Sequence, residues 1–296
     1  MIRIGTSGFS YEDWRGHFYP PDLPKRDMLP YYARFFPTVE INATYYSLPS
    51  PFTFMQMARK VPEGFDFVVK AHKTMTHAGE YVPEAFEGFR RAVSPLTERN
   101  MLGCVLAQFP WSFRYAPENL AYLRQLRDGL ADLPTVVEFR NRAWVRDETF
   151  ATLRDLGLGF CCVDEPRLKG LMPPVCAATS PLGYIRFHGR NAAKWWQHEQ
   201  AYERYDYLYS EAELAEWVPK IRALEAQVKR VYLFFNNHYE GKAGQNARML
   251  ARLLNLALPL AEGDAARDAL TGGPPADLHD DLLSTDNASK RWERDG

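Results

Sequence analysis

The stretch YIRFHGR, Tyr184 to Arg190, decides how this chain folds. Ile185 and Phe187 alternate with Tyr184, Arg186 and His188, so a β-strand here has one apolar face and one polar, partly basic face. Parallel sheets are covered on both faces. Burying an ion costs several kcal/mol unless it is paired and hydrogen-bonded, so a basic inner face calls for acidic partners on other strands. The chain supplies them.

Seven further apolar runs bounded by turn residues read as strands: 2–7 (IRIGTS), 38–42 (TVEIN), 65–70 (FDFVVK), 102–108 (LGCVLAQ), 135–140 (TVVEFR), 158–164 (LGFCCVD) and 230–237 (RVYLFFNN). Eight strands with helical patterns between most of them predict an α/β fold, a TIM-type (β/α)8 barrel. In PENLAYLRQLRDGL, Leu120, Leu123, Leu126 and Leu130 share a helix face behind Pro117. Ser210 and Glu213 form a capping-box pattern before one helix running to Lys229, and Gly244 is read as opening the last helix. Prolines in 165–182 exclude a long helix, which predicts an irregular crossover between strands six and seven. Residues 1–260 are read as one barrel domain. The charged, apolar-poor segment 261–296 is expected to be a flexible polar tail.

Composition narrows the function. A formal net charge of −1 argues against a protein that coats nucleic acid through its overall field. No apolar run approaches the length of a membrane span and MIRIGTSG has no leader pattern, so a soluble, cytoplasmic protein is expected. Cys104, Cys161, Cys162 and Cys176 form no CxxC pair and read as buried thiols.

Splitting each strand by parity gives one apolar face throughout. The opposite face turns polar near each strand's C-terminal end: Glu40 and Asn42, Lys70, Gln108, Glu138 and Arg140, Asp164, Arg186 and His188, and Asn236, with Asn237 on the parity of Leu233. In the sixth strand this assigns Cys162 and Asp164 to the inner face and Cys161 and Val163 to the helices. Active sites of such barrels lie at that end of the strands, so the convergence reads as a site. Glu138, Asp164, His188 and Glu40 are the candidates for proton transfer. Lys70, Arg140, Arg186 and Arg190 would hold negative charge, while Asn42, Gln108, Asn236 and Asn237 would orient a ligand. Lys70 is expected to pair with Glu40, or to act as a Schiff-base amine if desolvated.

NNHYEGKAGQNA (236–247), which includes Asn246, precedes the final helix and could offer backbone N–H groups to an anion, with Gly241 and Gly244 permitting close approach. Trp14 and Tyr46 are the loop aromatics expected at the mouth. No nucleotide-cofactor motif and no HxH or HExxH spacing occurs. A divalent cation, if bound, would use Glu40, Glu138, Asp164 and His188.

Taken in order, GTSGFSYEDWRGHFYP (5–20), FPTVEINATYY (36–46), FDFVVKAHKTMTH (65–77), LAQFPWSF (106–113), VVEFRNRAW (136–144), YIRFHGRN (184–191), YDYLYSEAEL (205–214) and VYLFFNN (231–237) resemble the domain-of-unknown-function 72 family, the YecE-like proteins. The resemblance covers residues 1–258 and implies a TIM-type barrel, without implying an activity. The residues themselves point to an enzyme doing acid/base chemistry, hydrolytic or isomerising, on a polar or anionic small molecule such as a phosphorylated or sugar-containing metabolite. The alternatives are a non-catalytic small-molecule sensor and a nucleic-acid-processing enzyme.

Overall fold

The computed structural model describes residues 1–259. Its frame is a ring of eight parallel strands: β1 (Ile2–Thr6), β2 (Thr38–Ile41), β3 (Asp66–Lys70), β4 (Leu102–Gln108), β5 (Thr135–Glu138), β6 (Gly159–Asp164), β7 (Leu182–Phe187) and β8 (Arg230–Phe235). Neighbours pair in sequence order from β2 to β8, and β8 pairs with β1. The TIM-type barrel expected from the strand count is the fold. The tail expected at 261–296 lies outside the described residues.

The ring closes differently between β1 and β2. Only Ser7 and Glu40 form a ladder pair there, with Gly8 N–H donating to the Glu40 carbonyl at 2.8 Å. Below that point the Tyr32 hydroxyl fills the seam. It accepts from Thr6 N–H at 2.9 Å and donates to the Thr38 carbonyl at 3.0 Å, replacing one direct strand-to-strand bond. Gly5 is required at this approach, because a Cβ there would stand 2.2 Å from the Thr38 carbonyl oxygen.

Eight α-helices are found among the described residues: α1 (Met28–Ala33), α2 (Pro51–Arg59), α3 (Pro83–Glu98), α4 (Pro117–Leu130), α5 (Asp147–Asp155), α6 (Glu211–Ala215), α7 (Val218–Glu225) and α8 (Lys242–Leu253). None is long and apolar enough to cross a membrane. Helix α4 buries Leu123, Leu126 and Leu130, as its periodicity requires, while Leu120 stays half-buried. The crossover between β6 and β7 contains no helix.

Two helix boundaries differ from expectation. The capping box forms, with Ser210 Oγ accepting from Glu213 N–H and Glu213 Oε2 accepting from Ser210 N–H. The helix it opens nevertheless stops at Ala215, because Pro219, in the first turn of α7, has no N–H to continue the helical bonding. The last helix starts at Lys242, before Gly244, behind Gly241 in the left-handed region. Gly241 and Gly244 face His17 and Phe18, so this loop uses its small residues for packing.

Candidate functional site

Arg186 stands at the centre of the barrel's C-terminal half, 2% exposed. Its Nη2 and Nε donate to Glu40 at 2.6 and 3.0 Å, and its Nη1 donates to Glu138 Oε2 at 2.7 Å. Nη2 also lies 3.4 Å from Ser7 Oγ, so one side chain from β7 reaches β5 and both sides of the β1–β2 seam. Tyr184 donates its hydroxyl to Glu40 at 2.6 Å. Glu138 Oε1 is met by Arg140 Nε at 2.7 Å and His188 Nε2 at 3.1 Å. The basic face of YIRFHGR is thus matched by acids from β2 and β5.

These bonds fix the protonation states. Burial alone would raise the Glu138 carboxyl, but Arg140, Arg186 and His188 hold it well below the usual carboxylate range. Burial, then Arg140, outweighs Glu138 at His188 and brings the imidazole down to about 3. A neutral His188 facing a carboxylate carries its proton on Nε2, leaving Nδ1 to accept from Asn236 Nδ2 at 3.2 Å. Both ring nitrogens are occupied.

Two groups behave otherwise. The expected Lys70–Glu40 salt bridge does not form; Glu40 instead accepts two bonds from Arg186 and one from Tyr184. Lys70 Nζ sits 4.4 Å above the Tyr45 ring centroid, and no described residue forms an ion pair or hydrogen bond with it. Burial, then Arg186, lowers the ammonium to about 7 despite Glu138 and Glu40. Glu165 is the opposite case. Burial raises its carboxyl to about 7 against the pull of Arg140, whose Nη1 is 3.6 Å away, and of the Met172 N–H at 2.7 Å. Glu165 Oε2 makes no hydrogen bond.

Glu165 escaped the reading of β6. Asp164 and Glu165 are adjacent, so one must face inward and the other outward, and composition does not say which. Register decides: Val163 pairs with Arg186 and Cys161 with Tyr184, which turns Cys161, Val163 and then Glu165 inward. Cys161 Sγ accordingly lies 4.0 Å from Glu138 Oε2. Asp164, expected inside, points into the helical layer. There Trp217 Nε1 (2.6 Å), the Tyr209 hydroxyl (2.8 Å) and Arg190 (2.9 and 2.7 Å) hold it.

Arg190 leaves the inner face for a local reason. Gly189 adopts φ +90° and breaks the strand alternation, sending Arg190 outward to Asp164 and Glu216. Asn237 and Asn246 are also outside the ring. Asn237 Nδ2 bonds Asn246 Oδ1 at 2.8 Å, and Asn246 clamps both backbone groups of Tyr209 at 3.0 and 2.9 Å. Trp14 is wholly buried among Tyr11, Phe18 and Tyr19 and donates to the His238 carbonyl at 2.6 Å. The four residues named for a divalent cation do not converge, since Asp164 is elsewhere and arginines occupy Glu40 and Glu138.

The inner ring at the mouth therefore comprises Glu40, Asn42, Lys70, Gln108, Glu138, Arg140, Glu165, Arg186, His188 and Asn236. Tyr205 joins from the loop after β7, 6.4 Å from His188 between ring centres. Tyr46 is half-buried beside Tyr45. Asn42 is 8% exposed and its Oδ1 lacks a hydrogen-bond partner, whereas Gln108 Nε2 donates to the Phe109 carbonyl at 2.9 Å.

These features define a class: a closed parallel (β/α)8 barrel with a bonded network of charges at the C-terminal ends of its strands. Within that class, the chain belongs to the family described as protein of unknown function DUF72, whose profile matches residues 3–268. It is 33% identical over 272 residues to the UPF0759 protein YunF of Bacillus subtilis (strain 168), across 86% of this chain and 95% of that one. A DUF72 family protein of Thermotoga maritima MSB8 is 43% identical with a TM-score of 0.81, covering 86% of this chain and 99% of its own. One from Enterococcus faecalis V583 is 31% identical with a TM-score of 0.79, covering 87% and 96%.

Proposed function

We propose that this protein is an enzyme that takes a polar, anionic small molecule at the C-terminal mouth of the barrel and transfers protons to and from it. One observation carries the reading. Lys70, buried without a carboxylate partner, and Glu165, whose buried Oε2 makes no hydrogen bond, face the same mouth, and burial moves them to about 7 from opposite directions. Groups displaced toward neutrality in opposite senses suit base and acid roles at physiological pH. A purely structural network gains nothing from an amine without a carboxylate partner.

The roles follow from how much bonding capacity each residue has left. Arg140 keeps 13% of its side chain exposed while anchored to Glu138, so its outer edge receives the anionic group. Asn42 Oδ1 and Glu165 Oε2 are buried acceptors without partners and would take donors from the ligand. Glu138, His188, Asn236, Glu40 and Arg186 act by holding this geometry, and Gln108 and Tyr46 flank it. Asp164, Arg190, Asn237, Asn246 and Trp14 support the frame.

The test is a panel of sugar phosphates and small hydroxy and oxo acids, with melting temperature and turnover both recorded. At least one compound should raise the melting temperature of the wild type and not that of Arg140→Met, and should be converted. Stabilisation without conversion identifies a binding protein. Equal responses in wild type and Arg140→Met refute the reading.

A further inference from the structure

We propose that Lys70 Nζ forms an imine with a carbonyl group of the substrate, so that the substrates are aldehydes or ketones carrying an anionic group. This rests on the mouth being a small-molecule site and deepens that reading by naming the reactive group.

The geometry singles out Lys70. Register with Leu106 and contact with Tyr45 fix it at the inner end of β3, 8% exposed. The nearest inward acids are engaged elsewhere: Glu40 accepts from Arg186 and Tyr184, and Glu138 accepts from Arg186 and His188 and pairs with Arg140. An unpaired, largely desolvated lysine beside two guanidinium groups has its charged form disfavoured twice, which is how protein amines become nucleophiles. At pH 7 an ordinary exposed lysine keeps under about 0.1% of its amine unprotonated, whereas Lys70, lowered to about 7, keeps a large share. Arg140, with exposed surface of its own, supplies the electrostatic anchor for an anionic substituent.

The step balances without an added oxidant or reductant. The nitrogen lone pair attacks the carbonyl carbon, forming C–N while the carbonyl π pair moves to oxygen. The C–O bond of the carbinolamine then breaks as C=N forms. Both amine hydrogens leave with the oxygen as water.

The experiment incubates the full-length protein at pH 7 with sodium cyanoborohydride and either glyoxylate, glycolaldehyde phosphate or uncharged glycolaldehyde, followed by peptide mass mapping. The expected result is a reduced secondary-amine adduct on Lys70 formed at least about tenfold faster than on exposed Lys73, three residues away. The two anionic probes should outpace the uncharged one, and the adduct should be absent from Lys70→Met. Labelling of Lys70 no faster than Lys73 overturns the proposal, and that comparison needs only wild-type protein. Arg140-dependent ligand stabilisation with Lys70 unlabelled would refute the imine alone and leave the acid/base reading standing. Loss of both would refute both.

Discussion

Replacing Arg186 by Met should cost far more than removing a surface ion pair. The substitution strips Glu40 of bonds at 2.6 and 3.0 Å, leaving that fully buried carboxylate with the Tyr184 hydroxyl alone. Glu138 loses one bond at 2.7 Å but keeps Arg140 and His188. Breaking a buried pair by removing one partner typically costs about 3–5 kcal/mol. Most of that loss should therefore trace to Glu40. For a barrel of this size the loss corresponds to a melting temperature lower by roughly 6–20 °C. Denaturant unfolding followed by tryptophan fluorescence measures it. Adding Glu40→Gln to Arg186→Met should recover more than half of the deficit, and adding Glu138→Gln should recover less. A loss below about 1 kcal/mol, or a larger rescue by Glu138→Gln, would refute the account of how the cluster is held.

Lys70 should titrate near 7 when followed by NMR of its ¹³C-dimethylated amine, and a midpoint near 10 would contradict its described surroundings. Because its folded pKa lies below the unfolded value, wild-type stability should rise with pH between about 7 and 10.5. Lys70→Met should abolish that rise and be more stable than wild type at pH 6, on the order of 2 kcal/mol. Glu165 has the opposite sign: its folded pKa is raised to about 7, so it disfavours folding increasingly as pH climbs from 4.5 through 7. Glu165→Gln should match wild type near pH 4.5 and exceed its melting temperature at pH 8. Asp164→Asn should destabilise by about 2–4 kcal/mol while leaving the Arg140-dependent ligand response unchanged, and a selective loss of that response would return Asp164 to the site.

The barrel was legible because each strand's apolar parity survives inspection one segment at a time. The charge cluster was legible wherever alternation continues to the strand end, as at Glu40, Glu138, Arg186 and His188. It failed where backbone geometry intervenes. Gly189 turns Arg190 outward, and the Asp164–Glu165 doublet offers one acid to each face with no compositional cue to choose between them. Lys70 was expected to pair with Glu40, but the bidentate guanidinium of Arg186 holds that carboxylate instead. Asn246 gives no signal at all until the backbone of Tyr209 is seen between its amide groups.

The seam between β1 and β2 links the barrel's assembly to its chemistry. Seven of its joints are ladders, with one register shift between β3 and β4; the eighth is a clasp made of one phenol, one ladder pair and a guanidinium reaching over from β7. That guanidinium comes from β7, so one side chain late in the chain ties together the two strands that open it. Any ligand that drew Arg186 toward itself would loosen its hold on Ser7 and Glu40, and amide exchange at Gly8, which donates to the Glu40 carbonyl, would quicken.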